Sequence, residues 1–128
     1  MIVLDYVNDF KELEVYKLSR QLANEVYEIT RDFPDEETYS LIDQIRRSSR
    51  SIGAQIAESW GKRRYERHFV SKLTDSDSEQ LETQHWVDIA FDCGYIQEEK
   101  RKLLIDRCQK IGRMIQSMIE KSERFCNE

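Results

Sequence analysis

An all-α fold follows from three observations on the sequence. One proline and four glycines in 128 residues leave little turn chemistry for a β-sandwich or barrel. The 35% of charged residues, together with Leu, Ile and Gln, favour helix. Apolar residues then recur at alternating intervals of three and four, the period of one buried helix face. A chain of 128 residues fits one domain, 1–128, and can bury roughly two-thirds of its unfolded surface.

The elements follow in order. Helix one should run from Leu13 to Phe33, with Val15, Leu18, Leu22, Val26, Ile29 and Phe33 as its stripe. Pro34 ends it, because a residue before proline avoids the helical region, and Asp35 opens the connection. Helix two should span Glu37 to Lys62, with Ile45, Ser49, Ile52 and Ile56 facing the core and Gly61 as its terminator. Helix three covers Tyr65 to Cys93 and stops at Gly94. Its pattern breaks between Leu73 and Leu81, where TDSDSEQ reads as a solvated or small-residue face, with a subunit contact or polar site as the lesser alternative. Helix four runs from Gln97 to Phe125 on the cleanest stripe in the chain: Leu104, Cys108, Ile111, Ile115, Met118, Ser122 and Phe125. Short connections between four long helices imply antiparallel neighbours, hence an up-down-up-down four-helix bundle. Tyr6 and Phe10 precede helix one and are expected to cap the bundle or to reach a neighbouring chain.

Charge is distributed unevenly. From Gln44 to His68 there are seven bases against Glu58 and Glu66, a local charge of +5 in a chain whose net charge is −5. The bases are Arg46, Arg47, Arg50, Lys62, Arg63, Arg64 and Arg67. Arg46 and Arg50 stand one turn apart, on a face beside the buried stripe. These seven are the candidate contacts for a nucleic-acid backbone, a role that positions phosphates without reading bases. A second reading makes the same arginines salt-bridge partners in subunit interfaces, against the acid-rich faces of helices one and three. Apolar residues beyond one stripe favour a homo-oligomer in either case: Tyr16, Ala23 and Tyr27 on helix one, Met114 and Ile119 on helix four.

Enzyme chemistry finds little purchase. Glu82 and His85 have the Glu-x-x-His spacing of di-metal carboxylate bundles, but such a centre requires a second pair. The other histidine, His68, has Tyr65 three positions earlier, and Glu58 is the sole acid in the core-proximal part of helix two. His85 therefore reads as a surface or interface residue. No phosphate-cradling glycine loop, zinc-protease helix or nucleophile elbow occurs. No enzyme, no metal and no cofactor are expected. Trp60 and Trp86 read as bundle-end packing rather than a stacking platform. Cys93, Cys108 and Cys126 lack a CxxC pair, and Cys108 sits in the helix-four seam as a small core residue. The N-terminal MIVLDYVNDF lacks a basic leader, and no apolar run approaches the ~18 residues of a membrane span. A cytoplasmic location with no membrane partner is expected.

The stretch QIRRSSRSIGAQIAESWGK, preceded by VYEITRDFPDEETYSL and followed by ETQHWVDIAFDCGYI, resembles the family of 23S ribosomal RNA intervening-sequence proteins. The matching motifs run in order: Phe33-Pro34, Tyr39-x-Leu41, Gln44-Ile45-Arg46-Arg47, Ser51-Ile52, Ile56-Ala57-Glu58, Glu82-Thr83-Gln84 and Gly94-Tyr95-Ile96. The likeness covers Phe10 to Met118. It implies a four-helix bundle, and relatives include accessory proteins of diversity-generating retroelements. Those look like homopentameric barrels that bind nucleic acid and a reverse transcriptase, so the resemblance implies a pentamer with RNA or DNA, and a reverse transcriptase, as partners. The chain departs from the family pattern at Gly53, where proline is common, at Gln55, where asparagine is common, and at Ser59, where glycine is common. Ser76-Asp77 replaces the usual Gly-Ser, adding negative charge to an acidic chain of pI 5.2.

Overall fold

The structure, a computed structural model, describes residues 7–126, and Tyr6 lies outside them. Among the described residues there are four α-helices and no strand: α1 Glu14–Thr30, α2 Asp43–Gly61, α3 Glu66–Asp92 and α4 Glu98–Glu120. A short 3-10 turn, Phe10–Glu12, leads into α1 through a capping box in which Asp9 and Glu12 satisfy each other's backbone N–H groups. Phe10 packs edge-on against Tyr16, with ring centroids 4.9 Å apart, so it covers the start of α1.

Helix α1 stops at Thr30, short of the expected Phe33, because the chain must leave the helical region before Pro34. Phe33 is buried nonetheless. The buried face of α1 is Val15, Ser19, Leu22, Val26 and Thr30, whereas Leu18 and Ile29 are only half-buried. Close approach to α2 explains the preference for small polar residues. A Cβ at Gly53 would lie 2.9 Å from the Ser19 hydroxyl, so the two helices meet there with no room for a side chain. The hydroxyls stay satisfied by bonding backward, Ser19 to the Tyr16 carbonyl at 2.6 Å and Thr30 to the Val26 carbonyl at 2.8 Å.

Helix two was expected to be continuous from Glu37, but its head is irregular. A 3-10 turn, Asp35–Glu37, passes into a π turn, Thr38–Ile42, before regular helix begins at Asp43. The Glu37 carboxylate organises this entry. It accepts from the Ser40 hydroxyl at 2.6 Å, the Leu41 N–H at 3.4 Å and the Tyr95 hydroxyl at 2.8 Å. Those bonds, led by Ser40 and then Tyr95, hold Glu37 below the usual carboxylate range. The same bond pushes the Tyr95 phenol up to about 12.

Helix α3 keeps a strict four-three seam throughout: Phe69, Leu73, Ser76, Gln80, Thr83, Val87 and Ala90 are all buried. The expectation of a solvated face from Thr74 to Gln80 is therefore corrected for Ser76 and Gln80, which point inward, although Thr74, Asp75 and Ser78 are exposed. Polar partners make this burial tolerable. Ser76 donates to the Ile52 carbonyl at 2.9 Å, and Thr83 donates to the Ser48 hydroxyl at 2.9 Å. Gln80 donates to Asp77 at 2.9 Å and accepts from Gln84 at 2.7 Å, and it fills the space left by Gly112 of α4. Leu81 lies off the seam and is exposed. Gly94, at φ +79°, ends the helix in a left-handed cap: its N–H reaches the Phe91 carbonyl and the Tyr95 N–H reaches that of Ala90.

Helix α4 buries Leu104, Cys108, Ile111, Ile115 and Met118 as expected, but ends at Glu120 rather than Phe125. A 3-10 turn, Ser122–Arg124, follows and still buries Ser122 and Phe125. Phe125 stacks on Phe69 at 5.6 Å, while Ser122 donates to the Glu66 carboxylate. Burial pushes the Cys108 thiol up to about 12, which keeps it an inert core residue. On the outside, Arg107 grips Glu25 through two hydrogen bonds of 2.7 Å, tying α4 to α1. Among the described residues no helix is long and apolar enough to cross a membrane.

Candidate nucleic-acid interface

Helix α2 carries the candidate residues because its buried face uses only part of its circumference. Ile45, Ser48, Ser49, Ile52, Ile56 and Ser59 face inward. At 3.6 residues per turn, Arg46, Arg50, Ala54, Ala57 and Gly61 fall within roughly 80° of one another, beside that face. The strip has bases at one end and small residues toward the other. It runs into the turn bearing Lys62, Arg63 and Arg64, roughly 24 Å along the helix from Arg46.

The seven predicted residues divide into two groups. Arg46, Arg47 and Arg50 line one shallow groove of about 480 Å³ together with Thr38, Ser51 and Ala54. Their guanidinium groups are not equally available. Arg46 donates to the Thr30 hydroxyl at 2.8 Å and lies 4.7 Å over the Tyr27 ring. Arg50 lies 5.8 Å from the same ring. Arg47 pairs with Glu82 at 3.1 Å, so its charge is locally neutralised.

Lys62, Arg63, Arg64 and Arg67 form the second group, at the α2–α3 turn. Arg63 is folded back: its Nε donates to the Trp60 carbonyl at 2.8 Å and its guanidinium sits 3.7 Å over the Trp60 ring. Arg64 lies 5.9 Å from the Tyr65 ring. Arg67 lines a wide surface depression with Tyr65, Glu66, His68 and Val70. Neither local acid neutralises these bases. Glu58, which is exposed and not core-proximal as expected, pairs with Lys72 at 2.8 Å, and Glu66 accepts from Ser122. Among the described residues, Arg46, Arg50, Lys62, Arg63, Arg64 and Arg67 have no carboxylate within ion-pair reach.

The Glu82-x-x-His85 pair has a structural use. Glu82 accepts from Arg47 and, at 3.0 Å, from the Trp86 indole, while His85 is exposed with its ring 4.6 Å from Trp86. Among the described residues no cluster of three or more metal-ligating side chains forms. Sequence reasoning passed over the rings that the arginines use. Tyr27 is a platform for two guanidinium groups, and Tyr65 lies inside the run RRYERH, where an aromatic among bases was the available signal.

Comparison with known proteins agrees with this architecture. The family model described as 23S rRNA-intervening sequence protein matches residues 11–117. No curated protein matches the chain. Among solved structures, the chain is similar to a protein of unknown function from the S23 ribosomal protein family of Bacteroides thetaiotaomicron VPI-5482. The two are 25% identical with a TM-score of 0.74, covering 82% of this chain and 97% of that one. With the family match spanning all four helices, the chain belongs to the 23S rRNA-intervening sequence protein family.

Proposed function

We propose that this protein is a non-enzymatic homo-oligomer, a ring of five copies in the reading that the family suggests, which binds the backbone of RNA or DNA. The observation that carries the proposal is the strip of bases on α2 and the following turn that lack a carboxylate partner among the described residues, while the acids nearby are engaged elsewhere. Net charge of −5 repels polyanions at long range, so binding requires these bases to be concentrated, which a ring would achieve by repeating the strip. Half-buried Tyr16, Ala23, Met114 and Ile119, with exposed Tyr27 and Tyr39, supply apolar surface for subunit contacts. The up-down-up-down antiparallel order belongs to the same reading. Its support is the α2–α3 seam, where Glu58 meets Lys72, Ile52 meets Ser76 and Ser48 meets Thr83.

The second reading is a protein-interaction scaffold whose arginines serve interfaces. The Arg47–Glu82 pair favours it, since an α2 arginine already engages an α3 acid within one chain. One experiment separates the two. Arg46→Glu with Arg50→Glu should abolish binding of labelled RNA and DNA while light scattering shows an unchanged oligomer. Loss of the oligomer instead supports the scaffold, and retained binding defeats the phosphate-contact model.

A further inference from the structure

The two basic groups differ in what surrounds them. Around Arg46 and Arg50 the one nearby ring, Tyr27, is already covered by guanidinium groups. At the α2–α3 turn Arg63 covers Trp60 at 3.7 Å, but Tyr65 has a single guanidinium near it, that of Arg64 at 5.9 Å, and keeps more of its ring exposed. Tyr65 is 53% exposed, His68 is exposed, and their rings meet edge-on at 5.4 Å. Bases precede and interrupt this pair in sequence, Lys62 to Arg64 before it and Arg67, beside Glu66, within it. The turn that presents them is internally bonded: the Lys62 N–H reaches the Ser59 carbonyl, the Arg63 N–H that of Trp60, and the Tyr65 N–H that of Lys62. Stacking of Arg63 on Trp60, with its Nε donating to the Trp60 carbonyl, further fixes one guanidinium at the turn.

From this exposed ring set among cations that lack a carboxylate partner among the described residues we infer that the α2–α3 turn is a stacking site for single-stranded nucleic acid, with Tyr65 taking a base while Lys62, Arg63, Arg64 and Arg67 take the neighbouring phosphates. The inference rests on the nucleic-acid reading above and narrows it. A duplex keeps its bases stacked inside, so it can use only the cations. A single strand can offer both a phosphate and a free base face to the same turn, and one base stacked on an aromatic side chain contributes roughly tenfold in affinity. The helix-two arginines then hold the strand further along without distinguishing its form.

Fluorescence anisotropy with the full chain, using a labelled oligothymidylate and a DNA duplex of equal length at one fixed salt concentration, tests this. The wild-type protein should prefer the single strand by about tenfold. Tyr65→Ala should remove that preference, weakening the single strand about tenfold and leaving the duplex unchanged, while Tyr65→Phe should keep it. Tyr65 is exposed, so an unchanged circular dichroism spectrum is expected of both variants. Equal loss on both probes, no loss on the single strand, or a wild-type preference for duplex overturns the stacking site. If the duplex still binds and Arg46→Glu with Arg50→Glu abolishes that binding, the nucleic-acid reading stands without the stacking site. If neither probe binds, both fail together.

Discussion

Gly53 and Ser19 should be energetically coupled, because α1 and α2 approach tightly there. An alanine Cβ at position 53 would lie 2.9 Å from the Ser19 hydroxyl and 3.6 Å from the Tyr16 ring, so the hydroxyl must move. It is fully buried and donates to the Tyr16 carbonyl at 2.6 Å, so displacement breaks a bond worth about 1 kcal/mol and strands a buried donor. Against this stands the helix-propensity gain of alanine over glycine, also about 1 kcal/mol. Gly53→Ala alone should therefore be neutral or destabilising by about 1 kcal/mol. In a Ser19→Ala background the obstructing oxygen is gone, and the same change should stabilise by about 1 kcal/mol. The double-mutant cycle thus predicts a coupling of about 1–2 kcal/mol. Urea midpoints at constant m-value and fixed protein concentration measure it, since any oligomer makes stability concentration-dependent. Effects that add to within about 0.5 kcal/mol would refute the tight approach.

Three further outcomes are expected. Arg107→Ala should cost about 1–2 kcal/mol, because it removes two charge-assisted bonds from a half-buried pair, whereas Arg31→Ala, at the exposed Glu28 pair, should cost nothing measurable; thermal unfolding of both variants checks the contrast. The Glu37–Tyr95 bond should stabilise within a pH window. Glu37 sits below its ordinary 4.5, so its contribution is present above pH 4.5 and is lost as pH falls through the lowered value. Tyr95 sits above its ordinary 10.0, so its contribution is present below pH 10.0 and is lost as pH rises toward about 12. Tyr95→Phe should lower Tm inside that window and converge with wild type outside it. Glu79 is raised by desolvation and then by Glu82, and one of its carboxylate oxygens is buried without a partner. Glu79→Gln should therefore raise Tm at pH 7, with the gain vanishing in acid as the wild-type carboxyl takes up its proton.

Helix number, the α4 seam and the stop at Gly94 were legible in the sequence because each rests on a local signal: period, or a residue permitting positive φ. The buried face of α1 was legible in part, at Val15, Leu22 and Val26, while its polar positions and the seam of α3 were not. Ser19, Thr30, Ser76, Gln80 and Thr83 are polar, and whether such residues face inward depends on a partner helix offering a carbonyl, a hydroxyl or a glycine gap. The π turn at Thr38–Ile42 likewise depends on Tyr95, distant in sequence, reaching Glu37. At the candidate site the basic run itself was visible, but its division was not. Arg47 and Arg46 find Glu82 and Thr30 only in the folded chain, whereas among the described residues the turn bases have no carboxylate partner, Glu58 being paired with Lys72 and Glu66 bonded to Ser122.

The salt dependence of nucleic-acid affinity tests the central claim most directly. Each phosphate neutralised on duplex DNA contributes a slope of about −0.9 in log affinity against log salt, so one contact from each of the bases without a carboxylate partner predicts a slope of about −5. Arg50→Ala should make that slope shallower by about one contact, whereas Lys17→Ala, in the exposed pair with Glu14 on α1 and outside the strip, should leave it unchanged. Affinity that ignores salt, or a slope that responds equally to both substitutions, would contradict a phosphate-binding strip on α2 and its following turn.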